Sequence, residues 1–193
     1  MLKKKFKIVF YIIIVFFFNK YSVAESSISY YLNNDSSTSF DISFSFYSIH
    51  NVKKNYKLLT DYEKISRFNP SVVKTKIIDK DVDKIFLKTT FRDCILFFCR
   101  EMIMYEVVRS YCENDNYCII RSEVIPKSDS PILSGRTDWI IKHNINQNSS
   151  EIIYKSKFDV YLSLPAFFGE SIFKKTINRN LNYLNTTINN FEF

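Results

Sequence analysis

The four cysteines constrain the fold of this chain most, because all of them fall within 28 residues, Phe91 to Cys118. The stretch between Cys99 and Cys112, REMIMYEVVRSY, has few turn formers and many residues that favour strands, which predicts one long strand. Thirteen residue steps of extended chain cover about 43 Å, whereas a disulfide needs Cα atoms within about 7 Å. This distance excludes Cys99–Cys112, and it also excludes the crossed pairing of Cys94 with Cys112 and Cys99 with Cys118.

The pairing that remains is local: Cys94–Cys99 and Cys112–Cys118, one disulfide across each of two hairpins. Loops this short restrict the unfolded chain by only about 2 kcal/mol each, so we expect these disulfides mainly to fix hairpin register. The rival interpretation is a zinc site, for which Cys-x4-Cys and Cys-x5-Cys are loose spacings. We expect no metal.

The Cys94–Cys99 pairing would place four apolar residues, Ile95–Phe98, at the tip of a hairpin. An exposed apolar tip of this size is typical of a surface that contacts a membrane, a partner or a ligand. The alternative is that the tip folds over the core. We keep transient membrane contact through Ile95–Phe98 as an expectation.

The first 24 residues have the pattern of a secretory signal peptide. Lysines precede an apolar run from Ile8 to Phe18, and Ser22-Val23-Ala24 fits a cleavage site of small residues. The run is shorter than the roughly 20 residues that span a membrane, although an uncleaved anchor remains the alternative. We therefore expect export to the periplasm or secretion after cleavage near Ala24, which suits disulfides.

The net charge of +7 comes mostly from this leading segment. Removing the five lysines of residues 1–24 from the 27 basic residues leaves 22 against 20 acidic residues, a net charge of +2. Nucleic-acid binding needs a clustered excess of lysine and arginine, so we predict no nucleic-acid partner. The 193 residues suffice for one domain with a sizeable core.

Periodicity predicts the remaining elements. Residues 25–39 are polar and without a clear period, which favours a flexible lead, and Asp41–Ile49 alternates like a half-buried strand. Residues 51–69 look like two short helices or one bent helix, and five more strands, besides the long one, run to Leu164. A long helix over about residues 166–190 carries an apolar stripe. Strands in sequence with segregated helices predict an α+β fold with an antiparallel sheet of about seven strands.

Four strings, LTDYEKISRFNPSV (59–72), CILFFCR (94–100), SGRTDW (134–139) and SLPAFFGESIFKKTINRNL (163–181), resemble the START-like (SRPBCC) superfamily. The similarity is to the polyketide cyclase/dehydrase or coenzyme Q-binding branch, in an exported bacterial subgroup, over about residues 40–190. The resemblance implies a helix-grip fold: a curved antiparallel sheet around a long C-terminal helix, with two short helices after the first strand. It also implies an apolar cavity between sheet and helix.

Position in this fold selects candidate ligand-binding residues, although for any single aromatic or aliphatic residue on the inward face ordinary core is the more common role. They are Tyr62, Phe68, Phe97, Phe98, Trp139, Phe167, Phe168 and Phe173. We expect a monomer that binds a hydrophobic small molecule, such as a lipid, quinone or isoprenoid, without a cofactor.

Two other functions remain open. A cyclase or hydrolase could use Glu101 or Asp138 with Arg100 or Arg136 as an acid–base pair, which requires these side chains inside the cavity. The competing interpretation is a solvated outer face with cross-strand ion pairs. The third function is a protein-interaction module without a cavity. Two histidines and two glycines build no catalytic triad or phosphate-binding loop.

Overall fold

The structure is a computed structural model that describes residues 25–95, 98–145, 149–161 and 169–192. The side chains of residues 93–95, 98–100, 169, 170 and 172 lie outside this description. The strands are β1 (Glu25–Leu32), β2 (Thr38–Ser48), β3 (Val72–Lys80), β4 (Ile85–Ile95), β5 (Phe98–Asn114), β6 (Tyr117–Val124), β7 (Ile132–Asn144) and β8 (Ser149–Val160). The helices are α1 (Val52–Leu59), a 3₁₀ helix (Tyr62–Arg67) and α2 (Gly169–Asn189).

The strands form one curved antiparallel sheet in the order β1-β2-β8-β7-β6-β5-β4-β3. β3 to β8 follow one another as a meander, and the β1–β2 hairpin joins its far side by pairing β2 with β8. α2 lies against the concave face and buries Leu181, Leu184 and Ile188 there. This architecture confirms the predicted α+β helix-grip fold.

β2 shows why the sequence folds in this way. Its apolar residues occupy every second position, so they share the concave face. Phe40, Ile42, Phe44 and Phe46 are each at most 2% exposed. Burying side chains of this size contributes about 2 kcal/mol each, which holds the strand in register against the core.

The first strand is the largest difference from the sequence-based expectation. The sequence predicted a flexible lead over residues 25–39, but Glu25–Leu32 is paired along its whole length with β2. An edge strand needs only a neighbour with free backbone groups, and β2 supplies them. Two side chains add packing: Ile28 contacts the main core, and the Tyr30 ring lies 5.5 Å from the Phe40 ring. The sheet therefore has eight strands rather than about seven.

The two short helices lie where the sequence predicted them. Asn51 caps α1, because its side-chain oxygen accepts a hydrogen bond of 2.9 Å from the Lys54 amide. At the start of the 3₁₀ helix, Asp61 instead accepts from Arg67 at 2.6 Å. This ion pair ties the two ends of the 3₁₀ helix together.

The hairpin beyond the long strand carries the predicted Cys112–Cys118 disulfide, with Cα atoms 4.0 Å apart. At the other end of β5, Cys94 lies directly opposite Cys99 in the backbone register. The sulfur atoms of that pair lie outside the described residues, as does most of the apolar tip, so Cys94–Cys99 stays a prediction. The same holds for the signal peptide. No helix in the described ranges is long and apolar enough to cross a membrane.

Candidate ligand-binding cavity

A cavity of about 220 Å³ lies between the concave face of the sheet, the 3₁₀ helix and α2. The sheet contributes residues from β2 to β8, and α2 contributes Ile177, Leu181 and Leu184. Most of the lining is aliphatic or aromatic. The space thus lies between elements that pack together through the main core.

Three of the predicted cavity residues line this space: Tyr62, Phe68 and Trp139. The Trp139 ring packs at 4.6 Å from the Tyr154 ring, which fixes it against the sheet. Tyr62 and Phe68 approach from the 3₁₀ helix and the residue after it, as the predicted position near the cavity required. Their part in binding a ligand stays a prediction.

The other aromatic candidates do not join them in the described structure. Phe173 lies outside the lining and packs at 4.0 Å from the Phe40 ring, in a second core cluster with Ile132 and Val160. It acts there as a core residue. Phe97, Phe167, Phe168 and the side chain of Phe98 lie outside the described residues.

A row of hydroxyl side chains crosses the concave face from β3 to β8. We call it the hydroxyl belt; it comprises Thr75, Thr89, Ser122, Thr137 and Ser156. The Oγ1 atoms of Thr75 and Thr89 lie 3.3 Å apart, and Thr137 Oγ1 lies 2.8 Å from Ser156 Oγ. These bonds satisfy polar groups inside an apolar enclosure.

Glu106 interrupts the belt between β4 and β6, and it lines the cavity with only 8% of its surface exposed. Burial raises the pKa of its carboxyl, and hydrogen bonds from Ser122 and Thr89 offset this only in part. Sequence analysis did not select this residue. In the sequence it is marked only by its position: Glu106 is a charged residue two positions from both Met104 and Val108, so all three share one face of the strand and line the cavity.

Two further polar atoms in the lining lack a partner within the described residues. The Tyr62 hydroxyl is buried and makes no hydrogen bond of acceptable geometry, although Ser110 lies nearby. Burial raises the pKa of Tyr62 to about 12. The side-chain oxygen of Asn180 is also unpartnered, while its amide nitrogen donates to Ser71 Oγ at 2.8 Å. An unpaired buried polar group is costly, so each atom is ready to bind a polar group.

Three of the predicted catalytic residues, Glu101, Arg136 and Asp138, lie on the opposite, convex face. Asp138 accepts hydrogen bonds from Arg121 at 2.6 Å and Arg136 at 3.0 Å, and Glu101 pairs with Arg92 at 2.8 Å. Burial alone would raise the pKa of Asp138, but the two guanidinium groups outweigh it and lower that pKa.

These side chains form ion pairs outside the cavity, across neighbouring strands to Arg121 and Arg92 and within β7 to Arg136, and not an acid–base pair within the cavity. The side chain of Arg100 lies outside the described residues. Within the described ranges, no group of three or more His, Cys, Asp or Glu side chains could hold a metal ion.

A second depression lies over β1, β2, β7 and β8, and its polar side chains are already paired. Ser39 and Ser134 donate to Asp159 at 2.5 and 2.6 Å, and Lys157 lies 2.7 Å from Asp41. These contacts leave the concave cavity as the better candidate site.

No family model and no curated protein matches the sequence. Solved structures do match. A STAR-related lipid transfer protein fragment from Xanthomonas axonopodis aligns at a TM-score of 0.59 and 10% identity, over 83% of this chain and 98% of that chain. The fold is START-like.

Human STARD10 aligns with this START-like chain at a TM-score of 0.60 and 14% identity, over 83% of this chain and 72% of that one. The Zhui aromatase/cyclase from Streptomyces sp. R1128 aligns at 0.56 and 10% identity, over 78% and 92%. At these identities the likeness concerns the fold, and the cavity has to be judged from its own residues.

Proposed function

We propose that this protein is an exported START-like domain that binds a hydrophobic small molecule, such as a lipid, quinone or isoprenoid, and carries or presents it. The observation that carries the proposal is the mostly apolar cavity of about 220 Å³ between sheet and helix. Removing apolar ligand surface from water contributes about 25 cal/mol per Å², so burial alone supplies affinity.

The presence of a cavity favours ligand binding over an interaction module that has none. Ligand pockets are commonly about 300–1,000 Å³, and this cavity is slightly smaller, which suits a compact ligand. Three of the similar structures bear lipid-transfer names, and one is named an aromatase/cyclase. The ion-paired convex positions of Glu101 and Asp138 favour binding over the acid–base chemistry proposed for these two residues.

Native mass spectrometry of the protein purified from its own host compartment tests this function. We expect a co-purifying mass of lipid size that is released on denaturation. The fluorescent apolar probe N-phenyl-1-naphthylamine should also bind the delipidated protein. A clean unliganded mass together with no fluorescence increase would contradict the proposal.

Two matched variants on β6 locate the binding. Ile120 lines the cavity, whereas Glu123 lies on the convex face. Ile120→Trp should fill the space and weaken probe binding at least about tenfold, at an overpacking cost of about 1–3 kcal/mol. Glu123→Trp should bind like the wild type. Circular dichroism checks that both variants fold.

Export is part of the proposal and has its own test. The pattern of residues 1–24 supports cleavage near Ala24. N-terminal sequencing of the protein from the periplasm or medium should begin near Glu25. Retention of the full-length chain in the membrane would favour the uncleaved anchor instead.

Transient membrane contact through Ile95–Phe98 completes the proposal, with the protein acting as a monomer. The apolar composition of this hairpin tip supports it. Sedimentation with phosphatidylglycerol/phosphatidylethanolamine vesicles should fall when Leu96 and Phe97 are both changed to Ser. Unchanged sedimentation would remove the tip from the mechanism without affecting the cavity.

A further inference from the structure

The cavity lining contains one acidic side chain and no basic side chain among the described residues. Glu106 is the one carboxyl side chain in the described lining, and that lining includes no lysine, arginine or histidine. An ionised carboxylate without a cation is very costly in an apolar enclosure. The raised pKa of Glu106 agrees with this, since burial favours its neutral, protonated form.

The groups around Glu106 are neutral hydrogen-bonding groups. The hydroxyls of Ser122 and Thr89, in the hydroxyl belt, form hydrogen bonds with its carboxyl. The Tyr62 hydroxyl lines the same cavity, is buried and makes no hydrogen bond of acceptable geometry, although Ser110 lies nearby. The cavity therefore presents a carboxyl whose charged form burial disfavours, and a phenol hydroxyl without a hydrogen bond of acceptable geometry.

Resting on the proposed function, we infer that the ligand is an uncharged amphiphile whose hydroxyl group binds at Glu106 and Tyr62. A hydroxyl can accept a hydrogen bond from Glu106 or Tyr62 and donate one in return, so it satisfies both. Its apolar part then lies along the aliphatic and aromatic walls.

Charged head groups fit this arrangement less well. A carboxylate or phosphate would lose its water and find no lysine, arginine or histidine in the described lining, so its charge would be left without a partner. An ammonium group would have to lose its own water and also ionise Glu106, and the desolvation of both charges offsets their attraction.

Isothermal titration with three octyl compounds at neutral pH tests the inference. The wild-type protein should bind 1-octanol at least about tenfold more tightly than octylamine or octanoate, the difference that one well-made buried hydrogen bond supplies. Equal or tighter binding of octylamine would overturn the inference in favour of an ion pair. Equal or tighter binding of octanoate would overturn it outright.

Variants then assign the preference to the two residues. Tyr62→Phe removes only the hydroxyl, and Glu106→Leu replaces the carboxyl with an apolar side chain. Each variant should weaken octanol binding about tenfold. Glu101→Leu is the matched control, because Glu101 lies on the convex side of the same strand. It should bind octanol like the wild type. Unchanged octanol binding by both cavity variants would overturn the inference.

N-phenyl-1-naphthylamine separates this inference from the proposed function, since the probe reports the apolar space. If the probe binds but octanol shows no advantage, the hydroxyl inference fails and the proposed function stands. If neither the probe nor any octyl compound binds, both fail.

Discussion

Glu106 and Asp138 belong to the same sheet, face opposite sides of it, and have pKa values that move in opposite directions. Glu106 faces the cavity among hydroxyl groups, and burial raises its pKa. Asp138 lies on the convex face between two arginines, which lower its pKa despite partial burial. The comparison shows that the face of the sheet on which a carboxyl lies decides the direction in which its pKa moves.

Substituting each of two neighbouring residues on β7 should give the largest difference in unfolding free energy between the two faces of the sheet. Trp139→Ala removes the cavity-lining ring that packs at 4.6 Å from Tyr154, and we expect a loss of about 3 kcal/mol in unfolding free energy. Asp138→Ala removes only partly exposed ion pairs and should cost about 1 kcal/mol. Urea denaturation measures both. Equal losses would show that the two faces contribute alike.

A smaller difference in stability is expected between two substitutions near the start of the same strand. A Cβ added at Gly135 would lie 2.9 Å from the Phe158 Cβ and 3.0 Å from a Val124 methyl, so Gly135→Ala should cost about 2 kcal/mol. Ser134→Ala loses only an exposed hydrogen bond to Asp159 and should change stability by about 0.5 kcal/mol or less. Thermal melts of the pair provide the test, and a wild-type melting temperature for Gly135→Ala would contradict this packing.

The pH dependence of stability tests the comparison most directly. Glu106 has a raised folded-state pKa, so its contribution is complete below the unfolded pKa and is lost as pH rises through the folded value. Relative to wild type, Glu106→Gln should therefore gain stability with rising pH, by at most about 1.4 kcal/mol per pH unit.

Asp138 requires the opposite sign. Its folded-state pKa is lowered, so its contribution is present above the unfolded pKa and is lost as pH falls through the folded value. Asp138→Asn should be less stable than wild type at neutral pH and approach it in acid. Denaturant titrations across this range measure both slopes. If the stabilities of both variants relative to wild type changed with pH in the same direction, the two faces would not shift carboxyl pKa values in opposite directions.

Local patterns in the sequence predicted much of this fold. The alternation in β2 and the length argument that assigns Cys112–Cys118 both depend on neighbours in sequence, and the structure confirms them. The strand β1 was missed because its stability comes from the free edge of β2, which a polar segment without a period does not reveal.

Glu106 was missed for a related reason. Apolar residues occur on both sides of β5, with Met104 and Val108 in the cavity lining and Ile103 and Val107 in the alternate positions. The pattern therefore does not show which side of the strand is buried. The inward face is defined by α2 and the 3₁₀ helix, which pack against it from distant parts of the chain.

The sheet order also has a consequence for how the chain folds. Neighbours from β3 to β8 are joined by local connections, so that meander can form progressively. β2, by contrast, finds its partner only when β8 exists, since Ser48 lies opposite Ser150. Such non-local pairing slows folding, and we expect the N-terminal hairpin to dock last. During that delay the edge of β8 is open to strands of other chains.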